Sequence, residues 1–165
     1  MKSVPETFLS RRTVVRVGIT ALSVAAFLTL IQQRQSRVSQ IITPGATLVV
    51  EVADTPAARS AGLSNRDELR GIDGLLLKWD ESGRHPVWMA GMRFPLDLVW
   101  IDAGGRVLAV MTNVPPCCGH QCSLYEPHGS ERSVAVLELA GSTAADRGLA
   151  VGAVVRFPTL SQVAR

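Results

Sequence analysis

The sequence predicts an all-β domain, a single β-sandwich of jelly-roll-like form or an open barrel, with two short helices and an N-terminal hydrophobic helix ahead of it. Three observations carry that prediction. Short runs of β-branched and apolar residues recur through 45–165, glycines and prolines punctuate them, and the first run alternates in polarity. With 47% hydrophobic residues among 165, the chain is no disordered polymer, and three cysteines are too few for a disulfide-built miniprotein. The roughly 120 residues after the N-terminal segment suffice for one ordinary domain.

The N-terminal segment comes first. Val17–Ile31 is 15 uncharged residues, between the ~7–15 of a secretory core and the ~20 of a full span. It predicts a hydrophobic helix over about 14–31, inside a signal or anchor and linker occupying 1–40. Ser10-Arg11-Arg12-Thr13-Val14-Val15-Arg16 resembles a twin-arginine export signal. No Ala-x-Ala follows Ile31, so an uncleaved membrane anchor is expected, with the domain on the extracytoplasmic side of the cytoplasmic membrane. The alternative is a cleaved signal and a periplasmic or secreted domain. Charge follows the same division. Residues 1–44 hold Lys2, Arg11, Arg12, Arg16, Arg34 and Arg37 against Glu6, or +5, whereas 45–165 hold 11 basic and 13 acidic residues, or −2. The basicity therefore belongs to targeting, and a domain with scattered arginines lacks the footprint of a nucleic-acid binder.

Residues 32–44 read as a polar linker ending at Thr43-Pro44-Gly45, with the domain spanning 45–165. In Thr47–Ala53, Leu48, Val50 and Val52 alternate with Thr47 and Glu51, the period of a half-buried strand. Thr55 is placed to cap a helix that Pro56 begins and Gly62 stops. Strands follow at Gly74–Trp79, Val87–Ala90, Leu96–Asp102 and Arg106–Thr112, the last two joined as a hairpin through Ala103-Gly104-Gly105. Ser133–Leu139 and Ala153–Phe157 complete the set, and Ser142 with Gly148 brackets a second short helix between them.

Several blocks together carry a family resemblance. Arg59-x-x-Gly62-Leu63, Gly74-Leu75-Leu76-Leu77, Trp88-Met89-x-x-Met92-x-Phe94-Pro95-Leu96-Asp97, Val136-Leu137-Glu138-Leu139-Ala140-Gly141 and Gly148-Leu149 resemble the bacterial and archaeal family known as domain of unknown function 192. The resemblance runs from about Val49 to Phe157. It implies a compact β-rich domain, often exported or membrane-anchored, and supplies no activity.

Three constellations are candidate sites. His85, Trp88, Met89, Met92, Arg93, Phe94 and Asp97 lie within thirteen residues, where aromatic and thioether side chains can line an apolar pocket and the polar groups orient a ligand. The competing reading packs the aromatics into the core and pairs Arg93 with Asp97. Asp97 and Glu138, brought together across strands, would be the carboxylate pair of an envelope hydrolase, one pKa raised and the other ordinary. Cys117, Cys118, His120 and Cys122 hold a complete soft-metal donor set, although adjacent cysteines do not suit the usual paired knuckles. The family resemblance implies instead a Cys117–Cys122 disulfide, the expected state in an oxidising compartment, which leaves Cys118 odd. The favoured expectation is a non-catalytic envelope domain that binds a small molecule or a protein partner. The alternatives are the hydrolase and a metal- or thiol-handling protein. No cofactor is implied.

Overall fold

The computed structural model describes residues 37–119, 121–129 and 131–157. The expected hydrophobic helix and export signal lie outside these residues, as does His120. Among the described residues, no helix is long and apolar enough to cross a membrane.

Among the described residues, eight strands and one helix form in chain order: β1 (Arg37–Ile42), β2 (Thr47–Ala53), α1 (Pro56–Ala61), β3 (Gly74–Gly83), β4 (Val87–Trp88), β5 (Leu96–Ile101), β6 (Val107–Val114), β7 (Leu124–Tyr125) and β8 (Ser133–Ala140). Six of the strands make one sheet in the order β1-β2-β3-β8-β5-β6, and β4 pairs with β7 in a small second sheet. Every pair is antiparallel except β2 and β3. Parallel neighbours need a crossover that returns the chain to the starting end. Here the crossover carries α1, begun by Thr55, whose side chain accepts from Ala58 N, and by Pro56 at the first turn.

The domain is mostly β, as expected, but its large sheet is open and covered on both faces, so the expected sandwich or jelly-roll form is not what the described residues make. Ile41, Leu48, Val50, Leu76, Val99, Ile101, Leu137 and Leu139 pack on one face beneath Ala144, Leu149 and Val155. On the other, Leu75, Leu77, Leu96, Leu98, Trp100 and Val136 pack beneath Leu63, Val87, Met89 and Met92. Connections, not a second large sheet, supply most of that cover. All six residues of β5 are buried, which a central strand with two covered faces requires.

Three further expectations are corrected by tertiary contacts. Part of the supposed linker is β1, whose Ile41 is buried opposite Leu48. The expected helix after Ser142 is a series of turns, because Ser142 sits at φ 67° and the bonds from Arg147 and Gly148 reach back only three residues. Ala153–Phe157 makes no continuous strand. Val154 bridges Arg106 and Arg156 bridges Ile42, so this segment links the C-terminal end of edge strand β1 to the N-terminal end of edge strand β6, diagonally opposite corners of the sheet by register. The expected 103–105 loop does form, with Asp102 Oδ1 accepting from Gly104 N and Arg106 N. Gly105 at φ 81° lies so close to Val155 that a Cβ would meet its carbonyl at 2.3 Å.

Candidate functional site

Register places the central group of the site. Glu51 of β2 lies opposite Leu75 of β3, Leu75 opposite Glu138 of β8, and Glu138 opposite Leu98 of β5. Directly paired residues share a face, so these four form a row across the sheet beneath α1 and its following loop. Glu138 is 4% exposed, and its Oε2 has no hydrogen-bond partner among the described residues. Burial pushes its carboxyl up to about 8, opposed by the positive charge of Arg66. Arg66 is itself held by Glu51, donating from both terminal nitrogens at 2.7 and 2.9 Å.

Above Glu138 the cover leaves a cavity of about 380 Å³. Leu63, Leu77, Val87 and Met92 give it apolar walls, and Arg59 and Glu138 are its charged-type residues. Trp88 and Leu124, paired across β4 and β7, are 50% and 62% exposed and form its apolar lip. Gly62 terminates α1 at φ 50°, and a Cβ there would stand 3.9 Å from Glu138 Oε2. Glycine at this position therefore puts no side chain against the carboxyl.

One wall is stiffened by stacking. The Trp79 ring lies 4.0 Å from His85 at an interplanar angle of 11°, and the Arg59 guanidinium stands 5.1 Å from the Trp79 centroid. Arg59 Nη1 also donates to the carbonyls of Asp54 and Lys78, both at 2.7 Å, tying α1 to β3. Burial, helped by the nearby charges of Arg59 and Arg132, lowers the His85 pKa, while the Glu81 carbonyl opposes the shift. His85 sits at φ 46°, and its carbonyl accepts from Trp100 Nε1 at 3.1 Å.

The predicted ligand block is therefore divided. Trp88 and Met92 line the cavity, whereas Met89 is fully buried and Phe94 packs against the same core. His85 reaches the site through Trp79. Arg93 points elsewhere and pairs with Asp67 at 2.6 Å, not with Asp97. Asp97 lies opposite Leu139, on the other face of the sheet from Glu138. There its oxygens accept four backbone amides, from Asn113, Ser142, Thr143 and Ala144, at 2.7–2.8 Å. The Asp97–Glu138 acid pair is thus not assembled, because side chains one residue out of register project to opposite faces. Among the described residues, Glu138 Oε2 also lacks the amide or arginine bond a buried acid usually holds. Arg59, Arg66, Trp79 and Glu51 were not among the sequence candidates. The Arg59-x-x-Gly62 spacing was the one available signal, since sequence alone does not place a crossover over β8.

Cys117 and Cys122 form a disulfide, and Cys118 is exposed with a free thiol. Bonding consumes two of the three thiols, which corrects the candidate metal set. Among the described residues no cluster of three His, Cys, Asp or Glu side chains could hold a metal ion.

The fold and cavity define a small β-sheet domain with a buried acidic group beneath a β-α-β crossover. Residues 39–157 match the model of the DUF192 family, described as uncharacterised ACR, and the chain belongs to that family. No functionally curated protein matches the sequence. Among solved structures it resembles a Sinorhizobium meliloti 1021 protein described as a candidate transcription regulator, with TM-score 0.65 and 25% identity over 74% of this chain and 95% of that one. It also resembles a Novosphingobium aromaticivorans DSM 12444 protein of unknown function, with TM-score 0.62 and 25% identity over 74% and 85%.

Proposed function

We propose that this protein is a membrane-tethered envelope domain that binds a small molecule in the cavity over Glu138 and catalyses no reaction on it. The observation that carries the reading is Glu138 Oε2, buried without a hydrogen-bond partner among the described residues, beneath a largely apolar cavity. Such a group is costly to leave unmatched, by about 1–3 kcal/mol, and a ligand that bonds it recovers that stabilisation. The reading prefers binding to hydrolysis because Asp97 is on the opposite face and Arg66 is engaged by Glu51. The hydrolase therefore gives way as an alternative. Export is supported by the arginine pair at 11–12 and the uncharged run 17–31, and the Cys117–Cys122 bond suits an oxidising compartment. Six arginines of the described domain, Arg37, Arg66, Arg70, Arg84, Arg93 and Arg147, are each paired with a carboxylate, leaving no basic face built from them for nucleic acid.

A fragment screen read through the tryptophan indole resonances tests the binding. Trp79 and Trp88 are expected to shift together while buried Trp100 shifts less; a screen in which no compound moves Trp79 or Trp88 removes the proposal. Replacing Arg11 and Arg12 by Lys is expected to hold the protein in the cytoplasm. Unchanged export would exclude the twin-arginine route.

A further inference from the structure

The groups around Glu138 narrow the chemistry of what the cavity takes, granted the binding reading above. We infer that the cavity selects an uncharged, largely apolar ligand whose carbonyl or hydroxyl oxygen accepts a hydrogen bond from the Glu138 side chain. A cationic ligand is disfavoured by the charges present. Arg59 lines the cavity itself, and Arg66 acts on Glu138 from the loop after α1. The only acid facing Glu138 along its row is Glu51 of β2, and Glu51 already binds Arg66 through two hydrogen bonds. From β3 and β5 the facing residues are Leu75 and Leu98, which contribute no charge, and Asp97 faces away. His85 is separated from the floor by its place behind Trp79.

In that setting the neutral carboxyl is the favoured form at pH 7, consistent with a pKa of about 8, and a neutral carboxyl has an O–H to donate. Apolar walls and the Trp88–Leu124 lip fit the body of such a ligand. No bond is made or broken. The proton stays on Glu138 and is shared with the acceptor.

The test uses the full chain in nanodiscs, with empty nanodiscs as blank. Two fluorinated probes of equal size are compared by ¹⁹F line broadening, 4-fluoroacetophenone as neutral acceptor and 4-fluorobenzamidine as cationic donor. The ketone is expected to bind and the amidine not. Ketone affinity should fall about 30-fold from pH 6.5 to 9.5, as the fraction of protonated Glu138 falls about tenfold per unit above its pKa. Glu138→Gln, still a donor through its amide, is expected to keep ketone binding and lose the pH dependence. Glu138→Leu should lose binding while remaining folded by circular dichroism. Binding of the amidine in place of the ketone, or ketone binding indifferent to Glu138→Leu, overturns the ligand class and leaves the cavity's binding role intact. Failure of both probes overturns this inference, and the indole screen then decides separately whether the cavity binds anything.

Discussion

Replacing Asp97 by Asn tests what the Trp88–Asp97 block does in this fold. In the structure Asp97 Oδ1 accepts from Asn113 N and Ser142 N, and Oδ2 from Thr143 N and Ala144 N, all at 2.7–2.8 Å. An asparagine presents one oxygen and one NH₂ in the same space. Whichever way it turns, two backbone amides lose their acceptor and face another donor. Asp97 is 0% exposed, so no water replaces the lost bonds without rearrangement. At about 1–3 kcal/mol for each orphaned buried donor, the variant should lose about 2–6 kcal/mol. Against a total stability of about 5–15 kcal/mol, that is a large fraction. With a urea slope near 2 kcal/mol per molar, the midpoint should fall by about 1–3 M at unchanged slope. Unfolding followed through the fluorescence of buried Trp100 measures it. Asp67→Asn, which breaks only the exposed pair with Arg93, serves as control and should change stability by no more than about 1 kcal/mol. A midpoint for Asp97→Asn within about 0.3 M of the parent would refute the assignment of Asp97 as the clamp of the 142–144 turn.

Glu138 makes stability depend on pH in a defined direction. Its folded pKa of about 8 lies above the ordinary 4.5, so between those values the folded state holds the extra proton and stability falls as pH rises. The loss should be on the order of a few kcal/mol, complete above about pH 8, and absent in Glu138→Gln; equal pH profiles for the two proteins would contradict it. Arg66→Met removes the charge that opposes the shift, so the Glu138 carboxyl ¹³C resonance should titrate at higher pH than in the parent, and a fall would show that Arg66 acts otherwise. Native, non-reducing thiol titration should find one reactive thiol, Cys118, whereas three would remove the Cys117–Cys122 bond. Replacing both bonded cysteines by serine should lower stability by about 2 kcal/mol, as expected for so short a ring, and leave the β-sheet dichroism in place.

Local chemistry determined much of this protein in advance. Thr55-Pro56 and Gly62 bound a helix by capping, and the alternation in Thr47–Ala53 marks a strand. The turn at Asp102–Arg106 follows from a short side chain that bonds its own backbone. Each is settled by neighbours within a few residues, so the sequence alone carries it. The resemblance carried by Trp88–Asp97, Arg59-x-x-Gly62 and Val136–Gly141 likewise needs only order and spacing.

Sheet order and the roles of the two acids were decided elsewhere. Nothing within Leu96–Asp102 says that Asp97 will meet amides from 142–144, and nothing within Val136–Leu139 says that Glu138 will lie under α1. Those partners are brought by the parallel β2–β3 crossover and by the pairing of β8 between β3 and β5, contacts between residues tens of positions apart. A shift of one residue in that register would exchange the faces of both acids. The sequence by itself determined a β-rich family domain and its local turns. The tertiary structure alone decided that one acid is a backbone clamp and the other the unmatched floor of a cavity, because register sets the face to which each side chain points.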